Sequence, residues 1–150
     1  MDSGGEQSMP DGDGEFCEVV NPKSWPRPRG YSNGILCPSG GRILMLAGQV
    51  GWDSSEKMVV GGFVAQFHQA LLNIRSIVEA AGGEAHNVVR ILGLLGDKRD
   101  YLDNLKEIGS TWREVFGGHY PAMSFVEVAG FVEEGALLEL QADAWLPSAE

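Results

Sequence analysis

Two segments near the end of the chain carry the residues best placed to do chemistry. In 137–145 apolar and polar residues alternate, as on a β-strand with two different faces. The apolar face holds Leu138, Leu140, Ala142 and Ala144, and the other face holds Glu139, Gln141, Asp143 and Trp145. A carboxyl group that is partly buried between leucines can transfer protons near neutral pH, because burial disfavours its charged form. Glu139 is therefore a candidate catalytic residue; the alternative is an acid that faces solvent on an ordinary amphipathic strand.

A second alternating segment, 123–128, adds an apolar wall. Met123 and Phe125 share one face of this strand with Glu127.

Other chemical motifs are missing: His68, His86 and His119 have no metal-ligand spacing with one another or with the two cysteines. The chain has no Gly-x-Ser-x-Gly elbow, no phosphate-binding loop and no dinucleotide fingerprint. We therefore expect neither a metal nor an organic cofactor.

The elements that must position these residues follow from hydrophobic periodicity. Apolar residues recur at helical spacing in 63–81 and again in 101–116, and each run is followed by two glycines. Strands are predicted at 31–37, 43–47, 88–95, 123–128 and 137–145, with 43–47 buried on both faces. The order β-β-α-β-α-β-β predicts an α+β fold of the split βαβ kind, with two helices on one face of a mixed sheet. The other face has no helix to cover it, which predicts burial against other subunits.

Composition and charge exclude several functional classes. The 150 residues hold 21 Asp and Glu against 11 Lys and Arg, for a net charge of −10. This balance argues against nucleic acid and against an anionic membrane surface as partners. Residues 1–20 contain six of the acids and no basic residue, and we predict that they form a disordered acidic tail ahead of a domain at 21–150. Two cysteines, the lack of a signal peptide and the lack of an apolar span of about 20 residues predict a cytoplasmic protein.

A set of short motifs then gives a resemblance to a known family. The motifs, in order, are Pro28-Arg29-Gly30-Tyr31-Ser32-Asn33-Gly34, Leu46-Ala47-Gly48-Gln49-Val50, Ala65-Gln66, Gln69-Ala70-Leu71-Leu72-Asn73-Ile74, Glu79-Ala80-Ala81-Gly82, Tyr120-Pro121-Ala122, Val126-Glu127-Val128 and Leu138-Glu139-Leu140-Gln141-Ala142. Together they resemble the Rid family, the reactive intermediate deaminases of the YjgF or L-PSP type, over roughly 21–147. The resemblance implies a homotrimer of chorismate-mutase-like subunits with three clefts between neighbours. It also implies cofactor-free hydrolysis of reactive enamines and imines, small-molecule substrates, to ketones and ammonia.

The resemblance also implies roles for individual residues. Glu139 matches the glutamate that positions or activates water, and Tyr31 matches the tyrosine that closes the pocket. Gly48 matches a glycine whose backbone lines the cleft, and Phe125 matches the residue that offers a backbone N–H to the substrate.

One position departs from the family pattern. After Tyr120-Pro121-Ala122 the family's deaminases have an arginine that binds the substrate carboxylate, and this chain has Met123. A thioether cannot form a charged hydrogen-bonded fork, so the usual 2-imino acids are not the expected substrates. Trp52 follows the Gly48-Gln49 turn, and with Met123 and Phe125 it either lines a more apolar cleft or packs a subunit interface. The expectation is a hydrolase of an imine, enamine or related C–N compound; the alternative is a non-catalytic trimer that binds a small molecule or regulates.

Overall fold

The computed structural model describes residues 16–149. In chain order its elements are β1 (Glu18–Val20), β2 (Gly34–Leu36), β3 (Arg42–Met45), α1 (Phe63–Ala80), a 3-10 turn (Ala85–Asn87), β4 (Val88–Leu95), α2 (Lys98–Leu102), α3 (Leu105–Phe116), β5 (Ala122–Glu127) and β6 (Leu138–Leu146). The helical periodicity at 63–81 and the strands at 88–95, 123–128 and 137–145 are each confirmed to within about two residues.

The main sheet has four strands in the order β3-β6-β4-β5. β6 runs antiparallel to both of its neighbours, and β4 and β5 are parallel, so the sheet is mixed. β3 and β4 are joined through α1 but are separated in the sheet by β6, which is the split βαβ arrangement. The α+β fold class predicted from the sequence is confirmed.

One layer of helix covers one face of this sheet and forms the core. The apolar stripe of α1 packs on α3 and on the apolar face of β6, and these side chains are almost fully excluded from solvent. They include Phe67, Leu71, Ile74, Val78, Ile108, Trp112, Leu138, Leu140 and Ala142. α1 ends where the two glycines predict: Gly82 has φ +88°, and the Gly83 N–H donates to the carbonyl of Val78 at 2.9 Å. The left-handed backbone of Gly82 and the hydrogen bond from Gly83 back to Val78 end the helix and turn the chain towards β4.

The second helical run is divided in two. The pattern predicts one helix over 101–116, whereas α2 ends at Leu102 and α3 begins at Leu105. Asp97 starts α2 by accepting a hydrogen bond from the Arg99 N–H at 2.9 Å. Short polar side chains at Asp103 and Asn104 favour such a break, because they compete with the helical backbone for hydrogen bonds.

Two strand predictions need correction. The run 43–47 is not buried on both faces, since Ile43 and Met45 are 70% and 78% exposed in the chain. Side chains alternate along β3, so Leu44 faces the helices, whereas Ile43 and Met45 lie on the face that no helix of the same chain covers. The strand predicted at 31–37 is limited to Gly34–Leu36, which pairs with β1 in a separate two-stranded ladder.

The N-terminal boundary also moves. Residues 1–15 of the predicted acidic tail lie outside the described residues. The remainder of the predicted tail, 16–20, is ordered: Cys17 is buried, and Glu18–Val20 pairs with β2. The prediction of a disordered tail is wrong for these five residues, because acidic composition does not reveal a partner strand 14 to 18 residues further along the chain.

Candidate functional site

Glu139 projects from the sheet face opposite the helices. Its neighbours Leu138 and Leu140 are fully buried on the helix side, whereas Glu139 is half-buried and lies opposite Leu94 of β4. The other polar residues of β6, Gln141 and Asp143, follow on the same face. The alternation predicted for this strand is therefore confirmed, with the exception that Trp145 on the polar side is also buried.

Gly48 packs directly against the carboxylate of Glu139. Reciprocal backbone hydrogen bonds of 2.8 and 2.9 Å join Gln49 to Leu140, and they hold the 47–50 segment beside β6. A Cβ atom at Gly48 would lie 2.1 Å from Oε1 of Glu139. Only glycine leaves room for the carboxylate in this position, so the structure brings these two predicted site residues together.

Tyr31 is held at the start of β5 by its neighbour Ser32. The Ser32 N–H donates to the carbonyl of Pro121 at 3.0 Å, and its hydroxyl donates to the carbonyl of Tyr120. Ser32 also forms a parallel bridge with Ala122. These contacts hold the partly exposed Tyr31 beside the start of β5.

Tyr31 and Met123 line a common cavity of about 570 Å³. The cavity is lined by Tyr31, Ser32, Asn33, Arg90, Ile91, Leu92, Ala122, Met123, Ser124, Gln141 and Asp143. Glu139 is not among these residues, but it is two positions along β6 from Gln141, or roughly 7 Å along the strand. The cavity and the carboxylate therefore belong to neighbouring parts of one sheet surface.

An ion pair between Arg90 and Asp143 supplies the charge in this cavity. The Arg90 guanidinium donates to Oδ2 of Asp143 from Nη2 at 2.6 Å and from Nε at 3.0 Å. The Arg90 side chain is 71% exposed and that of Asp143 is 23% exposed. Sequence reasoning did not single out Arg90; the available signal was one basic residue within the apolar strand 88–95.

The side chains of Met123 and Phe125 project towards the helix layer. They lie opposite Ile91 and Gly93 of β4, and both pack against the core cluster. Phe125 covers Gly93 and stacks on Tyr101, with ring centroids 4.6 Å apart. Burial raises the pKa of the Tyr101 hydroxyl. Within one chain Phe125 is therefore a packing residue and is absent from the cavity that Met123 and Tyr31 line.

Trp52 lies apart from both groups within one chain. It pairs with Met58 in a small antiparallel bridge, and its carbonyl accepts a hydrogen bond from Nδ2 of Asn73 at 2.8 Å. The same amide donates to the carbonyl of Val50 at 3.2 Å. Asn73 on α1 thus anchors the loop that follows Gly48, a structural role that the sequence motif alone did not indicate.

The histidines have structural partners. Nε2 of His119 lies 2.6 Å from the carbonyl oxygen of Val88, and burial lowers the pKa of His119. His68 lies 3.7 Å from a carboxylate oxygen of Glu114 on α3. Within residues 16–149, no three His, Cys, Asp or Glu side chains form a cluster able to hold a metal ion.

In the part of the chain that the structure describes, no helix is both long and apolar enough to cross a membrane.

Comparisons with known proteins agree on one family. A family model described as endoribonuclease L-PSP matches residues 25–146. A protein of Mus musculus named 2-iminobutanoate/2-iminopropanoate deaminase is 38% identical over 104 residues, which are 69% of this chain and 73% of the relative. A RutC family protein of Pyrococcus horikoshii is 32% identical over 130 residues, 85% of this chain and 97% of that one. The crystal structure of a conserved Rid family protein from Yersinia pestis superimposes with a TM-score of 0.77 at 30% identity, over 87% of this chain and 98% of that chain.

Proposed function

The chain belongs to the Rid family, also known as the YjgF or L-PSP family, and from that premise we propose that it hydrolyses the C–N bond of an imine, an enamine or a related metabolite without a cofactor. The observation that carries the proposal is the position of the Glu139 carboxylate. It packs against Gly48, on the same sheet surface as the Tyr31 cavity. A relative of 38% identity carries the name of an imine deaminase, which supports the same reaction class.

The reaction needs a base that acts on water, and Glu139 is the group assigned to this role. As a water oxygen attacks the imine carbon, the Glu139 carboxylate accepts the proton that the water loses, and the C=N bond becomes a C–N single bond. The nitrogen takes up protons and leaves as ammonia, and the carbon is left as a carbonyl. The substrate, one water and the two products balance, so the step needs neither an oxidant nor a reductant. Tyr31 is assigned to closing the cavity over the substrate.

The working unit is proposed to be a homotrimer with the site in clefts between subunits. Two features support this assignment. The Tyr31 cavity contains neither Glu139 nor Phe125 nor Trp52, and a second copy is proposed to complete the set. The outward side chains of Ile43 and Met45 are mostly exposed in one chain, and burying an aliphatic side chain of this size stabilises an association by about 1.5–3 kcal/mol.

The substrate is proposed to lack the carboxylate group of a 2-imino acid. Met123 stands where the family's deaminases have arginine, and a thioether offers no hydrogen-bond donor. A fork of two charged hydrogen bonds contributes about 3–6 kcal/mol, so its loss weakens carboxylate binding by roughly 10²–10⁴-fold. A neutral or more apolar imine avoids this loss. With a net charge of −10, nucleic acid is not proposed as a partner, nor is a membrane.

Met123 also favours a second candidate function, a non-catalytic trimer that binds a small molecule or regulates. In this case the cavity would retain a ligand-binding role after loss of the arginine, and Glu139 would orient the ligand rather than water.

One experiment separates the two functions. The purified chain is mixed with N-unsubstituted imines, which an amine or amino-acid oxidase generates from a panel of neutral and charged amines with O2 as oxidant, and ammonia release is followed with time. We expect turnover of a neutral imine, and a loss of about 10²-fold or more in Glu139→Gln. Glu107→Gln is the matched control, since it removes an exposed carboxylate from α3. Saturable ligand binding in a thermal-shift screen, with no turnover on any imine, would favour the non-catalytic function; equal rates in Glu139→Gln and wild type would contradict the assignment of Glu139.

A further inference from the structure

Two cysteines meet at the open end of the β1–β2 ladder. Glu18 lies opposite Leu36 in this antiparallel pair, so one further step places Cys17 opposite Cys37. Both thiols are free, their sulfur atoms are 2.9 Å apart, and the Cys17 thiol donates a hydrogen bond to the Cys37 sulfur. Directly opposed residues have Cα atoms about 4.5–5.5 Å apart, which lies within the range of about 4.4–6.8 Å found in disulfides. The backbone is therefore already in position for a bond between them.

We propose that Cys17 and Cys37 are an oxidation site at which the chain forms an intramolecular disulfide. The two residues are 20 positions apart in the sequence. The ring that the bond closes contains Tyr31 and Ser32, and Ser32 fixes this segment against the start of β5. Oxidation would thus fasten the segment that carries the cavity tyrosine. This inference is independent of the proposed hydrolysis.

The different environments of the two thiols set the order of the chemistry. Cys37 is partly exposed, whereas Cys17 is buried. Burial, with the hydrogen bond and the charge of Cys37 adding to it, raises the pKa of the Cys17 thiol to about 12. Cys17 is therefore a protonated, shielded thiol at neutral pH, and an oxidant reaches Cys37 first.

The oxidant is a hydroperoxide, and the step balances in two stages. The Cys37 sulfur takes the terminal oxygen of the hydroperoxide, whose O–O bond breaks, giving a sulfenic acid and an alcohol, or water when the oxidant is hydrogen peroxide. The Cys17 sulfur then attacks the Cys37 sulfur. The S–S bond forms, the S–O bond breaks, and the departing hydroxide takes the Cys17 proton as water. Two thiols lose two electrons in total, and the peroxide gains them.

The bond is expected to stabilise the chain measurably. A disulfide between residues 20 positions apart restricts the unfolded chain, and for a domain of this size we expect it to raise Tm by on the order of 10 °C. The increase should disappear when a thiol reductant is added.

The test uses the full chain, first reduced and then treated with hydrogen peroxide. Free thiols are blocked by alkylation, and the protein is unfolded and cut with trypsin without reductant. Cleavage after Lys23 and Arg29 separates the Cys17 peptide from the Cys37 peptide. We expect mass spectrometry to find the two peptides linked, the intact chain to be lighter by two hydrogens, and Tm to be raised on the scale given above. Cys37→Ser should show no linked peptides and no change of Tm on oxidation.

The wild-type result decides the proposal even if a cysteine variant fails to fold. Linked peptides from one chain, released by reductant, support it. Two separately alkylated cysteines after peroxide treatment would overturn it, as would a bond that joins two chains on a non-reducing gel. Cys17→Ser serves as a second variant, and peptide linkage in either variant would likewise contradict the assignment.

Discussion

Replacing Gly48 with alanine tests whether the position of the Glu139 carboxylate matters for function. The new Cβ would lie 2.1 Å from Oε1 and 2.6 Å from Cδ of Glu139, so the carboxylate must move away by more than about 1 Å to reach ordinary van der Waals distance. A displacement of about 1 Å in a reacting group can cost about 10²-fold in rate. We therefore expect Gly48→Ala to lower kcat/KM by about 10²-fold on any imine that the wild type turns over.

The same substitution should leave the fold almost unchanged. Gly48 is not one of the glycines with positive φ, so alanine fits its backbone conformation. The atom that must move is the end of a flexible side chain, and the change in free energy of unfolding in a urea titration should stay below about 1 kcal/mol. Gly130→Ala is the matched control, because that glycine also lacks a positive φ and has no heavy atom within 4 Å of the added Cβ.

A double variant sharpens the conclusion. If Gly48→Ala acts by displacing the carboxylate, then combining it with Glu139→Gln should cost no more than Glu139→Gln alone, since both changes remove the same interaction. Fully additive losses of kcat/KM in the double variant, or a wild-type kcat/KM in Gly48→Ala, would refute the reasoning that Gly48 positions the Glu139 carboxylate.

Two further predictions concern the departure from the family pattern and the buried histidine. The Met123 side chain projects towards the helix side of β5, an edge strand, whereas Glu139 projects from the opposite face, so a carboxylate fork from position 123 needs the cleft of the proposed homotrimer. In that assembly Met123→Arg should raise kcat/KM for 2-imino acids by about 10²–10⁴-fold; no gain in a folded variant, measured by ammonia release, would contradict the assignment of Met123. Burial, together with the charge of His86, lowers the pKa of His119 against the opposing hydrogen bond to Val88. When the pH falls through 6.5, the ordinary pKa of histidine, the unfolded chain therefore binds more protons than the folded chain. The free energy of unfolding decreases on acidification as a result. The free energy of unfolding of the wild type should therefore fall more steeply between about pH 7.5 and about pH 5.5 than that of His119→Gln, in urea titrations; parallel slopes would exclude His119 as the cause.

Features that depend on local periodicity were predictable from the sequence. The stripe of α1 repeats at helical spacing, and its members Phe67, Leu71 and Ile74 are buried together. The alternation in β6 separates Glu139 from the leucines on either side, because successive side chains of a strand point to opposite faces. Both arrangements follow from the spacing of residues within one helix or strand, so they can be predicted from the sequence alone.

Features that depend on distant pairing were not predictable in this way. Arg90 and Asp143 are 53 residues apart, and their ion pair depends on the register between β4 and β6. No local sequence pattern predicts that β1 pairs with β2. The contact between Cys17 and Cys37 depends on this pairing and was therefore not predictable either. The exposure of Ile43 and Met45 within one chain depends on what covers the open face of the sheet, which the local apolar run does not reveal.

The open face of the sheet links assembly to chemistry. Glu139, the cavity residues Gln141 and Asp143, and the exposed Ile43 and Met45 all lie on the face that the helices do not cover. A carboxylate that faces bulk water is a weak base, whereas removal of water strengthens every charge interaction around a reacting group. Met45 pairs with Asp143, four positions along β6 from Glu139, so an association must cover the whole of this face, as in the proposed homotrimer, to enclose Glu139 in a drier environment. In the proposed homotrimer, the contact that covers the apolar residues at the edge of the sheet would then also exclude water from the acid near its centre.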